Sequence, residues 1–265
     1  MKSSFTFGVT VYPYSVFMVI GACVCLGVFA FLTVKRHRGC SDENAFAVEM
    51  LLIAMAAALP DAIFFDALFK IADTGRFEIK GATFYGGLIG ALALYPLLLL
   101  LKRNRKVSVY DRLCDLAAGI PAGHCFGRIG CFFGGCCFGC PTNGAFGVVF
   151  PEGSIPYEFY GGAVKVHPTQ LYEAALLLVL FAVLALFGKN RAFPAYLILY
   201  GAARFALEFL RADDRGAIFG IPLSPAQILS VVFILLGAGI GAARLFFGRL
   251  KKKNEGPIQS KQSKR

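Results

Sequence analysis

The chain has 265 residues, of which 57% are hydrophobic and only 16% charged, with a formal net charge of +11 and a mean hydropathy of +0.65. A soluble domain carries about 25% charged residues, so this composition excludes a soluble globular enzyme and indicates a polytopic membrane protein. No polar linker interrupts residues 1–250, which we expect to form one transmembrane bundle.

Seven apolar windows are long enough to span a bilayer. They cover residues 13–34, 46–68, 84–101, 114–134, 169–187, 195–211 and 225–246. The sequence therefore predicts an all-α bundle of about seven transmembrane helices with small outward-facing loop elements. The second window contains Pro60 and Asp61 and the fourth is rich in glycine. Both windows are therefore candidates for broken or re-entrant helices.

Basic residues are concentrated in alternate loops. They follow the first, third and fifth windows and fill the tail after the seventh: Lys35, Arg36, Arg38, Lys102, Arg103, Arg105, Lys106, Arg112, Lys189, Arg191, Arg249, Lys251, Lys252, Lys253, Lys261, Lys264 and Arg265. The positive-inside rule then places the N-terminus outside and the C-terminus in the cytoplasm. Residues 251–265 are typical of a disordered tail. Topology and anionic headgroups account for the charge, and no nucleic-acid partner is expected.

The third window begins with Phe84-Tyr-Gly-Gly-Leu-Ile-Gly90. Gly86 and Gly87 permit close backbone approach, and Tyr85 could donate a hydrogen bond to a lipid headgroup. The alternative is that Tyr85 is only an aromatic anchor at the membrane interface.

The densest glycine segment is Gly127-Arg-Ile-Gly-Cys-Phe-Phe-Gly-Gly-Cys-Cys-Phe-Gly139. Backbone N–H groups exposed in such a turn can cradle a phosphate beside Arg128. The spacing of Gly127, Gly130 and Gly134 equally fits close packing between helices. Both interpretations stay open at this point.

Polar residues recur on the later windows. The fifth opens with His167-Pro-Thr-Gln-Leu-Tyr-Glu173, in which Gln170 can hydrogen-bond across helices. The seventh opens with Ser224-Pro-Ala-Gln227, a serine cap followed by proline. One face of the sixth collects four polar residues at helical spacing: Tyr200, Arg204, Glu208 and Arg211.

Arg128 and Arg204 lie inside apolar windows, where a charge costs at least about 2.5–3.5 kcal/mol on insertion scales. Two such cations indicate a pocket for an anion. The commonest anion in a bilayer is a lipid phosphate, whose oxygens suit the planar guanidinium group. The alternative is that each arginine pairs with a carboxylate, such as Asp61, Asp115 or Glu208, and only joins helices.

Five of the nine cysteines cluster at the end of the fourth window: Cys125, Cys131, Cys136, Cys137 and Cys140. Cys137 and Cys140 form a C-x-x-C pair. Small residues packing a glycine turn, a disulfide that braces the loop, and zinc or iron–sulfur ligation are three alternatives that the spacing leaves open. The last is weakened because no second paired half-site is present.

Five motifs occur in the order and spacing seen in prolipoprotein diacylglyceryl transferases, from about residue 12 to residue 232. They are Tyr85-Gly-Gly-Leu-Ile-Gly, Gly127-Arg-Ile-Gly-x-Phe-x-x-Gly, His167-Pro-Thr-Gln-Leu-Tyr-Glu, Tyr200-Gly-Ala-x-Arg-x-x-x-Glu-Phe-x-Arg and Ser224-x-x-Gln-Ile-Leu-Ser. The chain as a whole thus resembles this family.

The resemblance implies a seven-helix enzyme of the bacterial cytoplasmic (inner) membrane. Such an enzyme moves the diacylglyceryl group of phosphatidylglycerol to the lipobox cysteine thiol of a prolipoprotein signal peptide, forming a thioether and releasing glycerol phosphate. By the matching motifs, Arg128 and Arg204 are the essential arginines. Tyr14 is a functional tyrosine, Gly139 an essential glycine, and Glu208 the carboxylate one turn after the second arginine. The predicted pocket further contains Gly86, Gly87, Gly130, Gln170 and Tyr200.

Three positions depart from the family pattern. Tyr85 stands where the family usually has histidine, Cys131 where it has asparagine, and Cys136 where it has glutamate. Tyrosine is a poor base at neutral pH, so His124, four residues before Arg128, becomes the candidate that removes the proton of the acceptor thiol. A buried, hydrogen-bonded His124 is the alternative.

No cofactor or metal is required by this chemistry. Three rival functions remain: a membrane thiol–disulfide oxidoreductase that uses the cysteine cluster, a non-catalytic protein that binds anionic lipid, and a transferase with the same donor but a different acceptor. The sequence carries no prediction of the oligomeric state.

Overall fold

The computed structural model describes residues 5–6, 10–74, 84–102, 106–187, 189–212 and 223–255. This part of the chain contains eight helices and two small two-stranded antiparallel sheets. The helices are α1 (Pro13–Arg36), α2 (Ser41–Thr74), α3 (Phe84–Leu100), α4 (Val109–Gly134), α5 (Ile155–Tyr160), α6 (Thr169–Phe187), α7 (Ala192–Glu208) and α8 (Pro225–Glu255). The strands are β1 (Phe5–Thr6), β2 (Thr10–Val11), β3 (Val148–Val149) and β4 (Lys165–Val166).

Five of the seven predicted windows lie within a helix, whereas window 84–101 extends one residue past α3 and window 195–211 extends three residues past α7. The described residues contain eight helices instead of seven, because the six-residue α5 lies in the long connection before α6. Three of the described helices are long and apolar enough by themselves to cross a membrane: Pro13–Arg36, Thr169–Leu186 and Pro225–Leu250. The helix α8 runs on to Glu255, past the predicted start of a disordered tail at residue 251. Residues 256–265 lie outside the described residues.

The glycine-rich helix α4 is continuous, so the expectation of a break there is wrong. It begins at a serine cap, Ser108, whose hydroxyl oxygen accepts a hydrogen bond from the Asp111 amide at 3.1 Å. It passes through Pro121 without interruption and ends at Gly135, which adopts the left-handed conformation with φ 69°. Pro60 likewise lies inside the continuous helix α2.

The glycines of α4 allow this helix to pack closely against α1. A Cβ added to Gly21 of α1 would lie 2.5 Å from the carbonyl oxygen of Gly123, and one added to Gly119 would lie 2.9 Å from the Cys25 carbonyl. At Gly130 an added Cβ would be 3.0 Å from the Cβ of Phe17. Small residues therefore let the two backbones touch, as in other membrane helix pairs. This contact surface, the α1–α4 seam, explains why so many glycines leave the helix intact.

Helix α4 is the centre of the bundle. One core cluster joins it to α6 and α7 through Leu177, Leu184 and Tyr196, and a second joins it to α1, α2 and α3 through Phe29 and Tyr95. Helix α8 packs against α7, where an added Cβ at Gly237 would lie 2.8 Å from the Pro194 carbonyl. The helix order thus places α4 between two halves of the protein.

The bundle has two ends that differ in composition. At one end α1, α6 and α8 begin and α4 and α7 finish; we call this the site end. The other, the basic end, holds the loop of Arg36 and Arg38. There Asp115 accepts hydrogen bonds from Arg36 at 2.9 Å and Thr33 at 3.1 Å and lies 3.0 Å from the His37 ring. This cluster ties α1 to α4.

A folded loop covers the site end. The strands β3 and β4 pair in the register Val148 with Val166 and Val149 with Lys165, so the loop contains a small antiparallel sheet. Isolated bridges join Gly139 to Arg211 and Pro141 to Val166. The loop therefore rests on the ends of α4 and α7, where the predicted site residues lie.

Candidate active site

Arg128 and Glu173 form the centre of a buried polar cluster at the site end. The guanidinium Nη2 of Arg128, on α4, lies 3.0 Å from Oε1 of Glu173, on α6. The same carboxylate oxygen accepts a hydrogen bond from the Tyr200 hydroxyl of α7 at 3.1 Å. Arg128 is 8% exposed and Glu173 3% exposed. Three helices thus contribute one charged or polar group each to a single buried point.

Arg204 reaches the same cluster from α7. It is paired with Glu208 one turn later on the same helix and is 3% exposed. Together with Glu173 and Tyr200 it lines a cavity of about 290 Å³ between α6 and α7. The rest of that cavity wall is apolar: Leu176, Leu177, Val179, Leu180, Val183, Leu199, Ala203 and Leu207. Two buried arginine–carboxylate pairs, Arg128 with Glu173 and Arg204 with Glu208, therefore lie beside one apolar cavity.

The second carboxylate, Glu208, is held from two further sides. The Ser224 hydroxyl, just before α8, donates a hydrogen bond to Glu208 Oε1 at 2.7 Å. Nε of Arg211 lies 3.8 Å from Oε2. Gln227 closes the cap of α8, because its Oε1 accepts from the Ser224 amide at 3.0 Å. Of the four polar residues predicted on one helix face, Tyr200, Arg204 and Glu208 lie on α7. Arg211 lies beyond the end of α7, in a bridge with Gly139.

The sequence alternative, in which each arginine pairs with a carboxylate, is realised for both arginines. Arg204 pairs with Glu208, and Arg128 pairs with Glu173. Asp115 pairs with Arg36 at the basic end instead. The side chain of Asp61 lies outside the described residues. The two pairs are not isolated from open space, because Glu173 and Arg204 line the same cavity.

His124 lies one turn before Arg128 on α4. Its Nε2 accepts a hydrogen bond from Nε of Arg128 at 3.2 Å, and its ring packs edge-on against Tyr200 with centroids 5.6 Å apart. The nitrogen lone pair that a base would use is therefore directed at the guanidinium group. This geometry orients Arg128 and favours the hydrogen-bonded alternative for His124.

Gln170 joins the cluster to the loop after α4. Its side-chain amide donates to the Cys136 carbonyl at 2.6 Å, while Thr169 donates to the Cys137 carbonyl, also at 2.6 Å. Gln170 is 1% exposed, and no described residue donates a hydrogen bond to its Oε1. A buried acceptor without a donor is costly, so this oxygen is suited to receive a ligand hydroxyl.

Two glycines set the backbone of the site. An added Cβ at Gly139 would lie 2.6 Å from the Leu210 carbonyl and 2.7 Å from the His167 carbonyl. The Gly139 amide donates to His167 at 2.9 Å, which locks the loop to the start of α6. Gly130 belongs to the α1–α4 seam, against the backbone of Tyr14. Both glycines are therefore required by close approach.

Tyr14 lies in the first turn of α1 and is 39% exposed. It lines a second cavity of about 510 Å³ at the site end, with Phe133, Cys136, Ser154 and Glu158. Tyr85, Gly86 and Gly87 lie in the first turn of α3. Gly87 is buried, while the side-chain environments of Tyr85 and Gly86 lie outside the described residues.

Glu173 and Arg211 are site residues that the sequence prediction did not select. Glu173 lies inside the apolar window 169–187, so the rule that identified Arg128 and Arg204, a charge within a spanning segment, would also have found it. Its partner could not be known before α4 and α6 were placed side by side. Arg211 was recognised only as part of a helix face.

None of the nine cysteines, all of which lie among the described residues, is joined in a disulfide. The predicted C-x-x-C pair is therefore not joined, and the Cys140 thiol instead donates to the Arg211 carbonyl at 3.3 Å. A different set, Cys131, Cys136 and Cys137, has its sulfur atoms within 4.8 Å of one another. Nothing in this arrangement favours a thiol–disulfide oxidoreductase.

Comparison with known proteins agrees with the motifs. The sequence model of the prolipoprotein diacylglyceryl transferase family matches residues 2–242. The chain is 31% identical over 247 residues to phosphatidylglycerol–prolipoprotein diacylglyceryl transferase 2 of Clostridium perfringens, covering 87% of this chain and 90% of the relative.

The enzyme of the same name from Clostridium tetani is 29% identical over 250 residues, covering 87% and 92% of the two chains. That of Campylobacter lari is 30% identical over 271 residues, covering 94% and 93%. With its buried arginine pair, its ordered motifs and a family match over nearly its whole length, the chain belongs to the prolipoprotein diacylglyceryl transferase family.

Proposed function

We propose that this protein transfers the diacylglyceryl group of phosphatidylglycerol to the cysteine thiol of a prolipoprotein signal peptide. The observation that carries the proposal is that two buried arginines lie beside one apolar cavity. Arg204 lines this cavity together with Glu173, the partner of Arg128. The names of the relatives agree with this donor and acceptor. The products are a thioether and glycerol phosphate.

The reaction breaks a carbon–oxygen bond, and negative charge grows on the departing phosphate. Guanidinium groups fixed in a dry site stabilise such charge far more than water-exposed groups do. Arg128 is held by Glu173 and His124, and Arg204 by Glu208, so neither has to reorganise when the phosphate arrives.

The lipid tails of the donor require apolar space next to the phosphate site. The cavity between α6 and α7 offers it, because leucine and valine side chains continue directly from Arg204 and Tyr200. A third cavity, of about 200 Å³ and apolar, lies on the other side of α4. Its lining includes Met18, Leu51, Met55, Leu116 and His124. We assign the cavity between α6 and α7 to the donor, since its three polar lining residues, Glu173, Tyr200 and Arg204, all belong to the arginine cluster.

The remaining predicted residues take supporting roles. Gln170 accepts a hydrogen bond from a headgroup hydroxyl through its buried Oε1. Gly130 and Gly139 keep Tyr14 and the covering loop close to α4. Tyr85, with Gly86 and Gly87 beside it, lines the headgroup side of the pocket at the start of α3, where the family usually has histidine. His124 orients Arg128 instead of taking a proton.

The distribution of charge supports an orientation. Residues 1–250 form one catalytic bundle whose seven long helices cross the bacterial cytoplasmic membrane. Because the basic loops lie at the basic end, that end faces the cytoplasm with the C-terminus, and the N-terminus and the arginine cluster face outward. The acceptor thiol then meets the donor at the outer leaflet.

The test is transfer by the purified protein in liposomes that contain phosphatidylglycerol, with a peptide carrying a lipobox cysteine. Mass spectrometry should detect the peptide enlarged by one diacylglyceryl group, and glycerol phosphate should appear in equal amount. The same peptide with serine in place of cysteine is the control. Absence of adduct, in liposomes where a relative from this family is active, would refute the proposal; an adduct on simple thiols but not on the peptide would indicate a different acceptor.

A further inference from the structure

Three cysteines meet where α4 ends. Cys131 belongs to the last turn of α4, and Cys136 and Cys137 follow directly after the left-handed turn at Gly135. That turn folds the chain back, so the three sulfur atoms lie within 4.8 Å of one another and the Cys136 thiol lies 3.7 Å from the Cys131 carbonyl. All three residues are half-buried. We call this group the cysteine trio.

The backbone holds the trio together at a cost. Cys137 has φ 62°, and it is the one non-glycine residue with positive φ among those the structure describes. A left-handed conformation is unfavourable for an ordinary L-residue and persists only where neighbours impose it. Here Gln170 and Thr169 impose it, by binding the carbonyls of Cys136 and Cys137. Strain of this kind is typical of functional sites.

Thiolate is the form of cysteine that binds metal. The three thiols of the trio would therefore release their protons when a metal ion binds.

The donor set selects a soft metal ion. Thiolates favour zinc or copper(I) over magnesium or calcium. Sulfur atoms bound to one tetrahedral zinc lie about 3.8 Å apart, because each Zn–S bond is about 2.3 Å. The trio needs only a small adjustment to reach that geometry. Three protein ligands with a fourth position open is the arrangement of catalytic zinc sites.

The open fourth position of the metal can be reached from a cavity and lies close to the arginine cluster. Cys136 lines the cavity of about 510 Å³ that also contains Tyr14 and Glu158, so a peptide can reach the trio. Cys131 lies one turn after Arg128 on α4. Gln170, which holds Cys136, lies one turn before Glu173, which holds Arg128. The trio and the phosphate site are therefore attached to the same two helices.

We propose that Cys131, Cys136 and Cys137 bind a zinc ion whose fourth ligand is the acceptor cysteine of the prolipoprotein. The inference rests on the proposed function and supplies a way to deprotonate the acceptor thiol. The lone pair of His124 Nε2 is engaged by Arg128, and the family's histidine is replaced by Tyr85. A thiol that binds zinc is deprotonated outright. The metal thus takes the place of a base.

The step balances without any redox partner. On binding zinc, the acceptor thiol releases its proton to water in the cavity. The thiolate sulfur then uses one electron pair to form the carbon–sulfur bond. The carbon–oxygen bond to phosphate breaks, and glycerol phosphate departs with that bonding pair, stabilised by Arg128 and Arg204. The neutral thioether is a weak ligand and leaves, while zinc stays on the three cysteines.

The experiment measures metal content and transfer on the full-length protein in detergent. We expect one zinc per chain in the native protein and none in Cys131→Ser, Cys136→Ser or Cys137→Ser. Cys140→Ser is the matched control, because its thiol lies in the same loop but bonds the Arg211 carbonyl, and it should keep both zinc and transfer. With cobalt in place of zinc, the thiolate charge-transfer absorption should grow when the lipobox peptide is added.

A second measurement does not depend on whether the variants fold. Zinc is removed from the folded native protein with a chelator, and transfer is measured before and after. Transfer at pH 7 should fall about thirtyfold, the thiolate fraction of a free thiol with pKa near 8.5, and should recover with zinc. The residual rate should rise with pH while the zinc-loaded rate stays flat.

Transfer without zinc at the native rate, unchanged cobalt absorption on peptide addition, or a disulfide within the trio of active protein would each overturn the inference and leave the proposed function intact. Zinc bound to a protein that transfers nothing would count against the proposed function instead.

Discussion

Two buried arginine–carboxylate clusters lie at opposite ends of this bundle, and they differ in the space beside them. At the basic end, Arg36, Thr33 and the His37 ring surround the carboxylate of Asp115, which is 1% exposed. At the site end, Arg128 pairs with Glu173 and Arg204 pairs with Glu208 beside a cavity of about 290 Å³. The same residue types join helices at both ends, but at the site end they also border an apolar cavity.

The largest expected effect comes from replacing each arginine at the site end with lysine. Lysine keeps the charge but loses the planar fork that binds phosphate. We expect Arg128→Lys and Arg204→Lys to lower the rate of transfer about 10²–10³-fold, the range for loss of a donor to developing charge. The rate would be measured per folded molecule with phosphatidylglycerol and a lipobox peptide.

Arg36→Lys is the matched control at the basic end. It should lower the thermal stability of the purified protein and leave the rate per folded molecule unchanged. Equal losses of rate at both ends would mean that the arginine cluster at the site end is structural as well.

The substitution Gly139→Ala tests whether the loop after α4 must pack closely against its neighbours. The Cβ of Gly139→Ala would meet the Leu210 and His167 carbonyls, and overpacking of this kind costs about 1–3 kcal/mol. We expect transfer to fall more than stability, because the displaced loop carries Cys136 and Cys137. Gly162→Ala, where an added Cβ meets nothing within 4 Å, should behave like the native protein in both measurements.

Substitutions of His124 separate positioning from proton transfer. His124→Ala removes one hydrogen bond to Arg128, and a loss of about tenfold corresponds to the net worth of such a bond. His124→Gln keeps an acceptor for Arg128 Nε and should recover most of that loss. A general base would cost about 10²–10⁴-fold in both variants, so initial rates of the pair decide the matter.

The smallest expected effect is at the basic end, where Glu43 precedes the apolar part of α2. Its carboxylate accepts hydrogen bonds from the Lys106 and Val107 amides at 2.8 and 3.1 Å, and these bonds hold its pKa below the ordinary value. Because the folded-state pKa is depressed, the stabilisation is present above about pH 4.3 and is lost as the pH falls through the folded-state pKa.

Melting curves against pH would show this effect. The native protein should melt slightly above Glu43→Gln at pH 7, and the difference should vanish in acid. A difference that grows as the pH falls would contradict this sign.

Much of the fold follows from local signals in the sequence. Apolar length, Pro13 and Pro225 at helix starts and Ser108 as a cap fix where helices begin. The prediction of a broken fourth helix failed because the glycine density was assigned to the backbone of one helix. Those glycines are explained by a partner, since Gly21 and Cys25 of α1 occupy the space that side chains would fill.

The site was predicted in its charges but not in its pairings. Arg128 and Arg204 were identified from the cost of burying charge, which needs no structure. The role of Glu173 depends on α4 and α6 lying side by side. The cysteine trio depends on the turn at Gly135, which brings Cys131 to Cys136 and Cys137 although the sequence spacing drew attention to Cys140 instead.

The α1–α4 seam has a consequence for how a lipid enters. Where two backbones touch through Gly21 and Gly123, sliding or rotation would force a carbonyl into a neighbouring chain, so α1 and α4 move as one rigid body. Breathing that admits an acyl chain from the bilayer must then occur at another helix boundary. We expect the acyl chain to enter at the boundary between α6 and α7, where leucine and valine side chains already border the cavity. A covalent cross-link between α6 and α7 should then abolish transfer, whereas a cross-link across the α1–α4 seam should not.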